Sequence, residues 1–416
     1  MLNRLAAPSS GALQAVERRT GVTLGGLVAL ALAVLGWLLA NAVGGRALYL
    51  VAYGLVLLFA VAVVLARRQR RVEAVRSRLP RRAREGQRLR CELTLTASAR
   101  ATTFVVEESL HPHLGRTVRF PVLSLSPGQD LKHTYEIRPR LRGVYRVGPL
   151  VAEFKDPVGL ARRRQVLSEP VEMIVHPSTE VVFDRPLTRQ FEEPPLRPPL
   201  SKPWPEGFEF YGMRDYVPGD DMRRVVWRAF ARTDRLLVRE FEQGISDRVT
   251  VVLDNDRNWH SAGDPSDTFE SAVRVAASVG VQHIKDGMSV RLISNDAELG
   301  AQFRGSRARI DYLDRLAAVA MCGEPLHHGM ERLIRGGRRD AHVVCITSHF
   351  DARSAGLAGM LVNAGASVSV VAIVWDESDP ASVHRAREIG AQVVRVKPGT
   401  PLAPLFRAAL QVAVKQ

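Results

Sequence analysis

Residues 206–242 read EGFEFYGMRDYVPGDDMRRVVWRAFARTDRLLVREFE, and just beyond them residues 249–254 read VTVVLD. The second run is continuously apolar and β-branched, as a strand covered on both faces requires, and it opens an α/β region. The first run packs a turn, paired carboxylates, an arginine-rich helix and a tryptophan into a short space. Pro218-Gly219 sets a tight turn. Asp220 or Asp221 then caps the following helix and meets its positive end. Val225, Val226, Phe230 and Ala231 form an apolar face, with Arg223, Arg224 and Arg228 outward or paired. Trp227 follows Arg223 by four residues, a spacing that lets a guanidinium stack on the indole. Leu236-Leu237-Val238 reads as a short strand, flanked by Arg239 and Glu240. The residues alone leave two readings open: a capped helix and hairpin joining two domains, or a dedicated interaction surface.

Downstream, strand and helix patterns alternate. Strands are expected at Val249–Leu253, Ser289–Ile293, His342–Ile346, Val368–Val374 and Gln392–Val396. Helices are expected at Thr268–Lys285, Ala308–Ala320, Ser354–Asn363, Pro380–Ile389 and Leu402–Val414. Apolar strands between amphipathic helices predict a parallel, doubly wound sheet. Such sheets bind ligands at the carboxyl ends of their strands.

Upstream, Gly21–Gly45 and Ala47–Ala66 are uncharged runs rich in Leu, Ala and Val. Each is long enough to cross a hydrocarbon core of about 30 Å. Arg18 and Arg19 precede the first run, and Arg67, Arg68, Arg70 and Arg71 follow the second. The excess of arginine at both outer ends predicts a two-span hairpin in the cell membrane with N- and C-termini cytoplasmic. The net charge is +15. From Arg67 to Arg90 eleven arginines oppose Glu73 and Glu85, so more than half the excess sits beside the spans, where anionic lipid headgroups are the natural partner. That placement, and an aromatic content of 6%, argue against nucleic acid. Cys91, Cys322 and Cys345 are widely spaced and odd in number, which reads as reduced, buried thiols.

Between the spans and the quoted stretch, Leu89, Cys91, Leu93, Leu95 and Ala97 alternate with polar residues, as a half-buried strand requires. Thr103–Val106, His133–Ile137, Gly143–Val147 and Val171–Val175 are further strands, and Ser126-Pro127-Gly128 and Asp156-Pro157-x-Gly159-Leu160 are turns. Short strands at this spacing predict a small antiparallel β-sandwich. His111-x-His113 reads as surface histidines without a third metal ligand. Pro186–Pro205 contains seven prolines and reads as a stiff extended connector. The expected order is therefore a cytoplasmic N-terminus (1–20), a transmembrane hairpin (21–66), a basic juxtamembrane segment (67–86), a β-sandwich-like domain (87–180), a proline-rich linker (181–205), the quoted motif (206–243) and the α/β domain (244–416).

The pattern Arg214-x-Tyr216-x-Pro218-Gly219-Asp220-Asp221-x-Arg223-x-x-x-Trp227, followed by Ala231-Arg232 and Leu237-Val238-x-Glu240, resembles the hallmark of a bacterial family filed as domain of unknown function 58. The resemblance implies two N-terminal spans, a β-rich segment and a von Willebrand factor A-like domain. It also implies a MoxR-type AAA+ ATPase as partner. In A-like domains the loop after the first strand usually reads Asp-x-Ser-x-Ser and binds a divalent ion. Here Asp254 is kept, while Asp256 and Asn258 replace the serines. Residues 301–340 contain no threonine, and His349 stands where related sequences often have an aspartate. A degenerate metal site and no cofactor are expected. If an ion such as Mg2+ does bind, Asp254 and Asp256 are its ligands.

The reading that follows is a membrane-anchored, non-enzymatic interaction scaffold, with membrane lipids and a protein as partners. Its interaction residues are Arg214, Tyr216, Pro218, Gly219, Asp220, Asp221, Arg223, Trp227, Arg232 and Glu240. The alternative is a metal-dependent hydrolase or thiol enzyme using Asp220, Asp221, Glu240, Glu242 or the first α/β loop. No GxSxG, HExxH or GxxxxGK[ST] supports it, and no small-molecule substrate suggests itself.

Overall fold

The structure, a computed structural model, describes residues 21–68, 72–182, 209–218, 220, 222–242, 248–336, 342–375 and 380–406. The proline-rich connector, Gly219, Asp221 and most of the last expected helix lie outside these residues. Two compact units divide the chain, residues 1–177 and 178–416.

The first unit begins with two helices, α1 (Leu24–Val43) and α2 (Arg46–Arg68), both long and apolar enough to cross a membrane. Thr23 caps α1, its hydroxyl oxygen accepting from Gly26 N at 3.1 Å. Gly44, at φ 71°, ends it in the left-handed region that glycine adopts without strain. Ala33, Ala40, Ala52 and Ala62 are buried, while Leu32, Leu35, Leu38, Leu50 and Leu57 stand exposed. Small residues inside and large apolar ones outside suit a helix pair surrounded by lipid.

Ten strands follow: β1 (Val72–Ser77), β2 (Arg82–Arg84), β3 (Leu89–Ala97), β4 (Ala101–Glu108), β5 (Val118–Leu125), β6 (Leu131–Ile137), β7 (Gly143–Val147), β8 (Leu150–Lys155), β9 (Arg162–Ser168) and β10 (Val171–His176). They form sheets ordered β1-β3-β6, β2-β10-β7 and β5-β4-β8-β9. These sheets share one core that contains Leu93, Leu95, Phe104, Ile137, Phe154 and Met173. Two expectations change here. The sheet starts at Val72, inside the stretch expected to be a basic juxtamembrane segment, and β2 pairs with β10 in parallel. The arginine-rich composition hid β1, because Arg76 is buried rather than solvated. Its Nε lies 2.8 Å from Glu108 Oε1, with side chains 7% and 2% exposed.

The expected turn at Asp156–Leu160 also grips the start of α1. Asp156 shapes the loop by accepting from Val158 N and Ala161 N at 2.9 and 2.6 Å. Thr23 N then donates to Leu160 O at 3.1 Å, and Arg162 N donates to Gly21 O at 2.7 Å. The Thr23 hydroxyl donates to Gly159 O at 2.6 Å. Leu160 and Ala161 join Ala29, Ala62 and Ala66 in one apolar cluster. A Cβ on Gly26 would sit 2.2 Å from Leu160 O, a backbone atom that has no room to retreat. Gly26→Val is expected to detach the loop and destabilise this unit by about 1–3 kcal/mol, the usual cost of overpacking. Protease cleavage between Asp156 and Arg162, faster in the variant than in the parent, checks it.

The second unit carries β11 (Glu209–Asp215) and β12 (Leu237–Glu242) as an antiparallel pair, with helix α3 (Trp227–Thr233) between them in sequence. A six-stranded sheet follows, built from β13 (Arg248–Leu253), β14 (Ser289–Ser294), β15 (Glu298–Phe303), β16 (His342–Thr347), β17 (Ser367–Ile373) and β18 (Gln392–Val396). Its order is β15-β14-β13-β16-β17-β18. All pairs are parallel except β14–β15, whose antiparallel edge the sequence pattern did not show.

Helices α4 (Asp267–Lys285), α5 (Ser306–Ala318), α6 (Leu326–Arg335), α7 (Ala352–Asn363) and α8 (Pro380–Glu388) complete the unit. Val249, Val251 and Leu253 enter one core with α4 and α5, while Val252, Val343 and Cys345 enter a second with α6 and α7. Period-two alternation inside fully buried strands thus feeds both layers. In this order the connections leave β13 in opposite directions. The loops after β13, β14 and β16 therefore meet at the switch point where such sheets expose a crevice.

Candidate functional site

Asp254 follows β13 directly and is buried among neighbours from all three loops. Its Oδ1 accepts from Asn295 Nδ2 at 2.7 Å and from Asp256 N at 3.1 Å. Its Oδ2 accepts from the Thr347 hydroxyl at 2.6 Å. Burial pushes the Asp254 carboxyl above its ordinary range, and the charge of His260 and these hydrogen bonds only partly offset that. His260, beneath the loop, is lowered by burial against the pull of Asp254. The imidazole lies 3.1 Å from Thr268 Oγ1 and 3.2 Å from Asp254 O.

Neighbouring polar groups close the same network. Asn255 Nδ2 donates to Asp296 Oδ1 and Ala320 O, and its Oδ1 accepts from Asn295 N. Asp256 Oδ1 accepts from the backbone and side-chain nitrogens of Asn258 at 3.0 and 2.9 Å. The carboxylate expected as a second metal ligand is thus turned into a local loop clasp. Among the described residues no three His, Cys, Asp or Glu side chains group as metal ligands. Sequence reasoning missed Asn295 and gave Thr347 no partner. Both lie near Asp254 only because β14 and β16 flank β13.

Above the network Trp259 and His349 stack, ring centroids 3.5 Å apart and planes 10° from parallel. Trp259 remains 40% exposed. Cys322, partly exposed, sits against the loop after β13, where its backbone N donates to Asn255 O at 2.8 Å. Burial first, then the charges of Asp296, Asp256 and Asp254, raise its thiol. A thiol held in its protonated form is a poor nucleophile. Burial pushes Cys91 and Cys345 up as well, to about 11 and about 12.

The quoted motif forms a separate cluster. Arg214 grips Asp220 through both terminal nitrogens, at 2.7 Å each. Asp220 Oδ2 also accepts from Val217 N at 2.9 Å. The expected capping by Asp220 is therefore corrected: it closes its own turn, and α3 has Val226 at its N-cap with no side-chain cap. The four-residue step from Arg223 to Trp227 does not fall within one helix. Arg223 lies in a separate 3-10 turn, Met222–Arg224, and Trp227 packs edge-on against Phe230. Tyr216 N donates to Leu236 O, holding the two ends of the ribbon together. Pro218 and Arg232 stand exposed. Glu240 is opposite Gly212 in the ribbon.

The Arg214 hydrogen bonds, helped by the Val217 amide, hold the Asp220 carboxyl down at about 2. A depressed carboxyl contributes order above its ordinary value and loses it as pH falls through about 2. In Arg214→Ala the Asp220 pKa is expected to return most of the way to 3.8. Carboxyl carbon chemical shifts followed against pH measure it, and an unmoved titration would show that the guanidinium is not the cause.

The molecule so described has two apolar N-terminal helices, strand-rich sheets and an α/β region that carries a polar switch-point site. Residues 212–382 match the family described as Protein of unknown function DUF58. The chain is also similar to the uncharacterized protein YeaD of Bacillus subtilis (strain 168), 27% identical over 139 residues. That match spans 32% of this chain and about a third, 33%, of the relative. Among solved structures, the CARDB domain of the PF1109 protein from Pyrococcus furiosus is 14% identical over 26% of this chain and 90% of that one, with a TM-score of 0.20. A Niemann-Pick type C2 protein from Japanese carpenter ant is 8% identical over 25% and 89%, with a TM-score of 0.16. Neither structural likeness carries weight for the fold.

Proposed function

We propose that this chain is a membrane-tethered interaction scaffold rather than an enzyme. Its α/β region is read as a von Willebrand A-like domain that presents its strand-end loops to a cytoplasmic protein, a MoxR-type AAA+ ATPase. Both termini lie in the cytoplasm on this reading, supported by the arginines that flank α1 and α2 and by the short Gly44-Gly45 link between them.

One observation carries the scaffold reading. The carboxylate at the switch point, Asp254, already accepts from three protein donors, so its lone pairs are committed to holding loops in place. What the same loops offer outward is the flat Trp259–His349 pair, and tryptophan on a rigid support is a frequent anchor of protein interfaces.

The test is retention of the ATPase on full-length protein purified with it in ATP. Trp259→Ala is expected to lower retention at least tenfold, as loss of an interface anchor does, while its thermal melting stays that of the parent. Unchanged retention would overturn the assignment of this face. Turnover of a substrate by the purified chain alone would overturn the scaffold reading and favour a hydrolase.

A further inference from the structure

Helix α3 buries none of its residues. Its support is a two-stranded ribbon, a structure marginal in water unless something covers it. Within this segment Val225 and Val238 are the buried apolar residues among those described. On the helix, Trp227 and Phe230 fall on one side, with rings edge to face and centroids 6.5 Å apart. They are 56% and 37% exposed. Ala231 continues that face, and Arg228 and Arg232, four residues apart, flank it, all exposed. Two nearby acids are engaged elsewhere: Asp220 with Arg214, and Asp215 with Arg235.

We propose that α3 docks on an anionic phospholipid surface, with Trp227 and Phe230 at headgroup level and Arg228 and Arg232 on lipid phosphates. Three features favour a bilayer over a protein groove. Aromatic rings beside guanidinium groups are the composition of interfacial helices, in which the ring settles at the headgroups and the cation meets anionic lipid. Protein anchors require a rigid, packed support to hold their geometry, and a helix with no buried residue supplies none. A bilayer demands no shape match. The proposal rests on the anchoring of the chain by α1 and α2, which keeps a lipid surface at high effective concentration.

The test uses full-length protein carrying Cys322→Ser and Ala231→Cys, labelled at residue 231 with an environment-sensitive NBD fluorophore. Cys91 and Cys345 are buried and stay unlabelled. The protein is placed in nanodiscs rich in phosphatidylglycerol or made of phosphatidylcholine alone. In the anionic discs the label is expected to shift to the blue and to be quenched by doxyl-labelled lipid. Each of Arg228→Glu and Arg232→Glu should lower the docked-to-free ratio about fivefold or more, the effect of one cation at an anionic surface.

A label that stays aqueous while the protein co-elutes with the discs overturns this proposal and leaves the anchoring intact. Protein that fails to enter the discs overturns the anchoring and the proposal with it. Shielding that is equal in both lipids, and indifferent to either charge reversal, overturns it in favour of a protein surface.

Discussion

Arg76→Ala is expected to destabilise the strand-rich unit by about 3–5 kcal/mol, the cost of stranding one member of a buried ion pair. Arg76 Nε meets Glu108 Oε1 at 2.8 Å with both side chains almost fully enclosed. A further Arg76 nitrogen, Nη1, donates to Glu169 O at 3.0 Å, tying β1 to the turn before β10. Truncation leaves the Glu108 carboxylate in an apolar core beside Cys91 and Tyr135, whose groups burial, and then its charge, already push up. Glu108→Ala should cost a similar amount, because it strands the guanidinium instead. The double replacement Arg76→Met with Glu108→Leu should restore much of the loss, since well-packed apolar residues often equal a buried pair. Denaturant unfolding of the four proteins forms a double-mutant cycle. Two single losses that simply add would show the pair to be uncoupled.

Asp254→Ala should be nearly as damaging, and Asp254→Asn should be mild. Alanine takes the acceptor from Asn295 Nδ2 and Asp256 N, each loss costing about 1–3 kcal/mol when buried, while the Thr347 hydroxyl falls back on His349 O. Asparagine can turn its carbonyl to Asn295 and Asp256. Its amide can donate to Thr347 Oγ1, whose hydroxyl then donates to His349 O, now 2.7 Å away.

The two variants also separate in pH. Burial raises the Asp254 carboxyl, so its contribution is full below the ordinary value of 3.8 and is lost as pH rises toward the folded value. His260, lowered by burial, acts in the opposite sense: its contribution is present at higher pH and lost as pH falls below 6.5. Asp254→Asn is thus expected to be more stable than Asp254→Ala throughout, and to lack the decline from pH 4 upward that the carboxyl imposes on the parent. Thermal melting across that range reads it. An asparagine variant as unstable as the alanine one would mean that the negative charge itself is needed there, by a bound cation or another partner.

Several elements were legible in the sequence because their signal is local. The apolar runs that become α1 and α2 need only length and absence of charge. The period-two pattern of Leu89–Ala97 is β3, residue for residue. The β-branched run ending at Asp254 is the central strand of its sheet. The signals that misled were also local. Arginine at residue 76 reads as solvated surface, yet a single carboxylate from a distant strand draws it into the core. Asp220 before a helix reads as a cap, yet Arg214, six residues back on a strand, outcompetes a backbone amide because it offers two charge-assisted hydrogen bonds.

Chain pattern alone thus determined which segments are greasy, which extended and which helical, since those depend on periodicity and composition within a few residues. Only the tertiary structure decided which polar groups meet. Thr347 and Asn295 reach Asp254 because β14 and β16 lie on either side of β13, across separations of 93 and 41 residues. Pairing between strands so far apart depends on which alignment buries the most apolar surface while satisfying the backbone, and no window of sequence holds that information.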